Sequence, residues 1–143
     1  MTLADKLAQR LERYRFVPIN AAAGEPFFLA YCKQLGHDPA AVDHARGEWM
    51  GVECDGSMAA AFCTRWNEPG QYLEILGTYG ENSLRGRLAV YCILTHYRAL
   101  VDAGVVPAIV STCLAKNRVF AQAIEKVFDG LTPLLTVYKY GGG

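Results

Sequence analysis

The run Ser83-Leu-Arg-Gly-Arg-Leu88 places two arginines around a glycine, at the point where one kind of local structure passes into another. Before it, Gln71 to Tyr79 reads as a strand. From Gly80 to Arg87 the chain turns, and from about Leu88 to Ala103 it reads as a long helix closed by Gly104. The first amides of a helix lack intrahelical acceptors, and the dipole makes that end positive. With Arg85 and Arg87 adding charge, such a junction can hold a phosphate group; the same residues also suit an ordinary strand-to-helix connection with two solvated arginines.

The other chemically capable side chains are dispersed. Five cysteines, Cys32, Cys54, Cys63, Cys92 and Cys113, stand singly in apolar segments, and none forms a C-x-x-C pair. They suit reduced, buried thiols. His37, His44 and His96 have no metal-ligand spacing with them or with carboxylates, so no metal site is expected. Lys+Arg and Asp+Glu are both 14, so net charge points neither to nucleic acid nor to an anionic membrane. No apolar run is long enough to span a bilayer, and Asp5, Lys6, Gln9 and Arg10 interrupt any signal-like segment. A cytoplasmic location is the expectation.

The elements that must position these residues belong to one ordered domain, since 143 residues with 52% hydrophobic content can bury a core unaided. Residues 1–13 form a helical arm, with Thr2 as cap and Leu3, Leu7 and Leu11 as a narrow stripe. Arg15 to Asn20 reads as a strand that Pro18 restricts to an edge or bulge. Glu25-Pro26 opens a helix that carries Phe27, Phe28, Tyr31 and Leu35 inward and ends at Gly36. Asp38-Pro39 opens a second one to about Arg46. Segments 47–54 and 57–66 flank Asp55-Gly56, a favoured hairpin turn, and Glu68-Pro-Gly70 turns into the strand at Gln71.

In that strand Tyr72, Glu74 and Leu76 oppose Leu73, Ile75 and Gly77. The long helix presents Val90, Leu94, Tyr97 and Val101, widened by Tyr91 and Ile93. Pro107 to Leu114 is an apolar strand. Arg118 to about Phe128 is a helix burying Val119, Phe120, Ala123, Ile124 and Val127. Leu131 to Tyr140 is a last strand, and 141–143 a flexible tail.

This order, with the hairpin from Trp49 to Phe62, the segment Leu84-Arg-Gly-Arg-Leu-Ala-Val90 and Asn117 opening a helix after an apolar strand, resembles the GCN5-related N-acetyltransferase (GNAT) superfamily. The resemblance spans roughly Arg15 to Tyr140. It implies an α/β fold with a splayed mixed sheet flanked by helices, opening between strands 71–79 and 107–114. It further implies acetyl-CoA in that opening, its pantetheine pairing with edge amides. The pyrophosphate would be held at Ser83, Arg85, Gly86, Arg87 and Leu88, with an amine of an unidentified acceptor attacking the thioester.

On that resemblance Glu74 is the candidate general base, mid-strand beside the opening, with a pKa raised by burial. It could instead face solvent or pair with Arg65. Asn117 would hold the splayed strand or the cofactor, or simply cap its helix. Tyr79, Tyr91 and Tyr97 suit core or groove positions, while Tyr138 and Tyr140 could shape an acceptor pocket or pack. The family loop carries small residues where Leu88 stands here, and its frequent tyrosine acid falls on Ile124. The alternative is a non-catalytic GNAT-like structural or assembly protein, such as a tailed-phage virion or internal capsid component. Its partners would be further copies of itself or other virion proteins.

Overall fold

The computed structural model describes residues 2–45, 47–67, 72–111, 117–128 and 130–131. In chain order these form α1 (Leu3–Leu11), β1 (Tyr14–Pro18), α2 (Ala21–Leu35), β2 (Glu48–Cys54), β3 (Ser57–Asn67), β4 (Tyr72–Gly80), α3 (Leu84–Asp102), β5 (Ile109–Ser111) and α4 (Arg118–Val127). The strands make one sheet in the order β1-β2-β3-β4-β5. The first three pairings are antiparallel, and β4 with β5 is parallel. The sheet is therefore mixed, with helices on both faces. No described helix is long and apolar enough to cross a membrane.

Local chemistry explains most of these elements. At the β2–β3 turn Asp55 has φ 53° and Gly56 φ 85°, the two left-handed positions of a type I′ turn. Pro18 sits at the end of β1, an edge strand where its missing N–H costs least. Gly36 ends α2 at φ 64°. On one face α3 and α4 cover Val52, Phe62, Leu73 and Ile75 with Ala89, Ile93, Leu94, Tyr97 and Ala123. On the other, α2 sets Phe28 and Cys32 against Trp49, Ala61, Cys63 and Tyr79. Gly24 permits that contact, because a Cβ there would stand 2.3 Å from the Trp49 ring.

Several sequence expectations require correction. α2 starts at Ala21, not Glu25, because Asn20 Oδ1 accepts from Ala23 N at 2.9 Å and caps it there. Pro26 thus lies inside the helix. Asp38-Pro39 nucleates only a 3-10 turn, Pro39–Ala41, not a helix to Arg46. α3 starts at Leu84, four residues before Leu88, with Ser83 as its cap. Val119, expected to be buried, is 65% exposed. In β4 the strict alternation fails: the register runs Cys63↔Gly77, then Thr64↔Ile75, so Leu76 is an extra residue, a β-bulge. Leu73 and Ile75 pack toward α3, whereas Leu76 and Tyr79 pack toward α2. The end of the strand at 112–114, the turn at 68–70, the tail, the side chains of Leu3 and Leu7, and the last strand beyond Leu131 lie outside the described residues.

Candidate functional site

The β4–α3 junction is built on close backbone approach. Ser83 Oγ accepts from Gly86 N at 3.1 Å and donates to Glu81 Oε2 at 2.8 Å. Gly86 packs directly on the turn: a Cβ would stand 1.8 Å from the Glu81 carbonyl oxygen. The glycine is thus required by the fold before any ligand is considered.

Arg85 faces away from the helix entrance. Its Nε and Nη2 donate to the two Glu81 carboxylate oxygens at 3.2 and 3.3 Å. Nη1 donates to the Cys54 carbonyl at 3.2 Å and to Ser57 Oγ, and Nη2 to the Met58 carbonyl at 2.9 Å. A guanidinium has five N–H donors, and these five bonds engage all of them. Arg85 therefore ties the start of α3 to the β2–β3 hairpin. The hydrogen bonds from Arg85 and then Ser83 hold the Glu81 carboxyl below its ordinary pKa.

Beside this junction lies a cleft of about 510 Å³, bounded by the end of β4 and by α2, α3 and α4. The described β4–β5 pairing covers Leu73 to Ile75 opposite Ile109 to Ser111. Farther along β4, Thr78 and Gly80 line the cleft, and Asn117 to Phe120 line its other side. Among the described residues, the cations Arg87, Arg118 and Lys126 border it against one carboxylate residue, Glu81. Among the described residues Thr78 Oγ1 is buried at this wall without a hydrogen-bond partner.

Asn117 spans the cleft while capping α4. Its Oδ1 accepts from Phe120 N at 3.2 Å, and its Nδ2 donates to Tyr31 Oη at 3.3 Å. Capping commits the oxygen, so the amide nitrogen faces the phenol contributed by α2.

Of the residues singled out from the sequence, Gly86, Arg87 and Asn117 meet at this cleft, whereas Ser83, Arg85, Leu88 and Glu74 are not among its lining residues. Glu74 accepts from Arg65 Nη2 at 2.9 Å and Asn67 Nδ2 at 2.6 Å. The Asn67 bond, followed by the Arg65 bond and charge, outweighs burial and lowers its pKa. This corrects the expected burial-raised carboxyl: the cross-strand pair with Arg65 is what forms. Tyr31, Thr78, Arg118 and Lys126 are the cleft residues that the sequence did not single out for a site. Tyr31 was legible only as an inward residue of α2, and its meeting with Asn117 across 86 positions leaves no local signal.

On the opposite face of β4, Tyr79 Oη lies 2.7 Å from His44 Nε2. The ring folds back along its strand, so a Cβ on Gly77 would stand 1.9 Å from that hydroxyl. Phe28 and Trp49 enclose the imidazole, with ring centroids 4.5 and 4.9 Å away. Burial lowers the His44 pKa and raises that of Tyr79, so burial favours the neutral form of each.

No protein-family model matches the sequence, and no curated protein matches it. Solved structures do match in fold. A ribosomal-protein-alanine N-acetyltransferase from Brucella melitensis biovar Abortus 2308 superposes with TM-score 0.66 at 11% identity, covering 90% of this chain and 99% of its own. The acetyltransferase YycN from Bacillus subtilis, described as putative, gives 0.64 at 9% identity over 90% and 99%. The enzyme AAC(6')-Iy, in complex with the bisubstrate analog CoA-S-monomethyl-acetylneamine, gives 0.57 at 12% identity over 90% and 98%.

Proposed function

For a chain with the GCN5-related N-acetyltransferase fold, we propose the activity of an acetyl-CoA-dependent N-acetyltransferase, acting on an amine-bearing acceptor in the cytoplasm. The observation that carries the reading is the cleft beyond the β4–β5 pairing, bordered by Arg87, Arg118 and Lys126 and by the first turn of α3. That set suits a long ligand with a diphosphate at one end: separate cations neutralise it, and the helix entrance adds oriented dipoles. Gly86, Arg87 and Asn117 are the residues we assign to cofactor binding. Ser83 and Arg85 would contribute by holding the junction in shape, and Leu88 by packing in α3. The buried Thr78 hydroxyl is a further polar group at the wall.

In the proposed reaction an amine nitrogen attacks the thioester carbonyl carbon, and the carbon–sulfur bond breaks. The fold relatives support the reaction class, since one is an N-acetyltransferase of a ribosomal-protein alanine and another holds a CoA-containing bisubstrate analog. Glu74 is the notable loss from this scheme. A carboxylate held ionised by Arg65 and Asn67 is a weak base, and catalytic bases work best with a pKa near the operating pH.

The second reading is a non-catalytic assembly protein on the same fold. Its support is the commitment of Arg85 and Ser83 to the protein's own groups, which leaves the junction fewer donors for a phosphate. Calorimetric titration of acetyl-CoA and desulfo-CoA separates the two. Saturable binding of both is expected for the enzyme, and binding of neither would leave the assembly reading.

A further inference from the structure

We infer that the buried Thr78 hydroxyl is a ligand-recognition group, one that hydrogen-bonds an amide in the pantetheine arm of bound acetyl-CoA. The inference rests on the acetyltransferase reading and assigns within it a side chain that the sequence does not single out. Among the described residues three buried side-chain atoms lack a hydrogen-bond partner: Arg65 Nε, Thr78 Oγ1 and Tyr97 Oη. Of these residues only Thr78 lines the cleft. It is also, among the described residues, the only buried side chain that is neither apolar, aromatic nor a thiol.

An unpaired hydroxyl in a folded interior is unfavourable, and folds seldom keep one without a reason. Packing does not ask for it, since valine has the same branched shape and leaves nothing unpaired. The β-bulge at Leu76 sends Tyr79 to the α2 face and leaves Thr78 on the face of Phe62, its cross-strand neighbour. On that face Val90, Tyr91, Phe120 and Ala123 line the cleft, and none supplies the missing bond. The partner therefore comes with whatever enters the cleft.

The surroundings select the kind of partner. A phosphate would lose its hydration against this wall, whereas the exposed Arg87, Arg118 and Lys126 offer it charge at the border. The diphosphate belongs to that border, and the uncharged part of the ligand to Thr78. In acetyl-CoA the uncharged part is the pantetheine arm, which carries secondary amides. An amide carbonyl can accept the hydroxyl proton, or an amide N–H can donate to Oγ1; either pairs the orphaned atom. A ligand without the arm gains nothing from the contact.

Thr78→Val tests this with two readouts that move in opposite directions. In the unliganded protein the chemical-denaturation midpoint should rise, because a methyl group replaces an unpaired hydroxyl. Desulfo-CoA, followed by calorimetry, should bind the variant about tenfold more weakly than the parent. Adenosine 3′,5′-bisphosphate, which lacks the arm, should bind both within about twofold of each other. Thr78→Ser keeps the hydroxyl and should bind desulfo-CoA within about threefold of the parent. An unchanged or lowered midpoint in Thr78→Val would show that the hydroxyl already has a partner, such as a bound water, and the inference falls. It falls equally if desulfo-CoA binds parent and Thr78→Val alike, or if the bisphosphate is weakened as much as desulfo-CoA; in these cases the acetyltransferase reading stands. If the parent binds no desulfo-CoA, both fall.

Discussion

Gly86 and Glu81 approach so closely that a Cβ on the glycine would stand 1.8 Å from the glutamate carbonyl oxygen and 2.6 Å from its nitrogen. Backbone on backbone cannot yield as a side-chain tip can. Gly86→Ala should therefore destabilise the protein by about 1–3 kcal/mol or more, as overpacking of a tight contact does. Chemical denaturation measures it. An unchanged midpoint would mean the turn relaxes freely.

Arg85 and Arg87, two residues apart, should separate cleanly. Arg85→Ala removes bonds to the carbonyls of Cys54 and Met58 and should cost about 1–3 kcal/mol of stability. Arg87, exposed at the cleft, should cost little stability when changed to alanine but weaken CoA by about 1–3 kcal/mol. Denaturation and calorimetry on the same two variants check both halves. The opposite assignment of effects would exchange their roles.

Leu88 lies within α3, not in a loop. Leu88→Gly should cost about 1 kcal/mol in helix propensity alone, with lost packing added. CoA binding should not tighten. A tighter isotherm would show that the bulk of this side chain restricts the site.

Glu74→Gln breaks the ion pair with Arg65 and should change turnover by less than about tenfold, because the carboxyl is tuned away from base strength. A loss near 10²-fold would return Glu74 to the mechanism. Its lowered pKa also gives stability that is present above the ordinary carboxyl pKa and lost as pH falls through the folded value. Acid denaturation of the parent and Glu74→Gln, compared, should show a shallower acid slope in the variant.

His44 and His96 both have pKa values lowered by burial from the ordinary 6.5. Between the folded value and 6.5 the unfolded chain binds more protons, so stability rises with pH across that window. It should be full above about pH 7 and decline as pH falls below the unfolded value. Denaturation midpoints across this range test it, and a His44→Gln, His96→Gln double variant should flatten the slope. A parent with no slope there would show that both rings ionise in the fold as they do unfolded.

The sequence made much of the fold legible where one residue decides the local structure. Asp55-Gly56 has few alternatives to a tight turn, Pro18 belongs at an edge, and Gly36 and Gly104 both end helices with positive φ. Both helices start upstream of their most conspicuous residues for a single reason: Asn20 and Ser83 are the caps, and the proline at 26 and the arginines near 86 already lie inside the helices. At the site, Gly86, Arg87 and Asn117 were legible because helix entrances have local signatures. Arg85 was not, since its partners Cys54, Ser57 and Met58 lie about thirty positions away and an arginine gives no hint of which way it turns. The Tyr31–Asn117 contact depends wholly on tertiary packing.

The extra residue at Leu76 acts as a phase shift in an otherwise two-beat pattern. Upstream, odd-numbered residues of β4 face α3; downstream, Tyr79 faces α2 and Thr78 faces the cleft. Flattening the bulge with Leu76 retained would restore an unbroken rhythm and turn the last four residues of the strand over. Tyr79 would be driven toward Ala89 and Ile93, its partnership with His44 lost, and the threonine would be traded into the aromatic nest around Trp49. Length variation is usually tolerated in loops and seldom in strands. Here the bulge absorbs the extra position, so a chain lacking Leu76 should keep Gly77 opposite Cys63 and Tyr79 opposite Ala61, with the same wall of the sheet bordering the cleft.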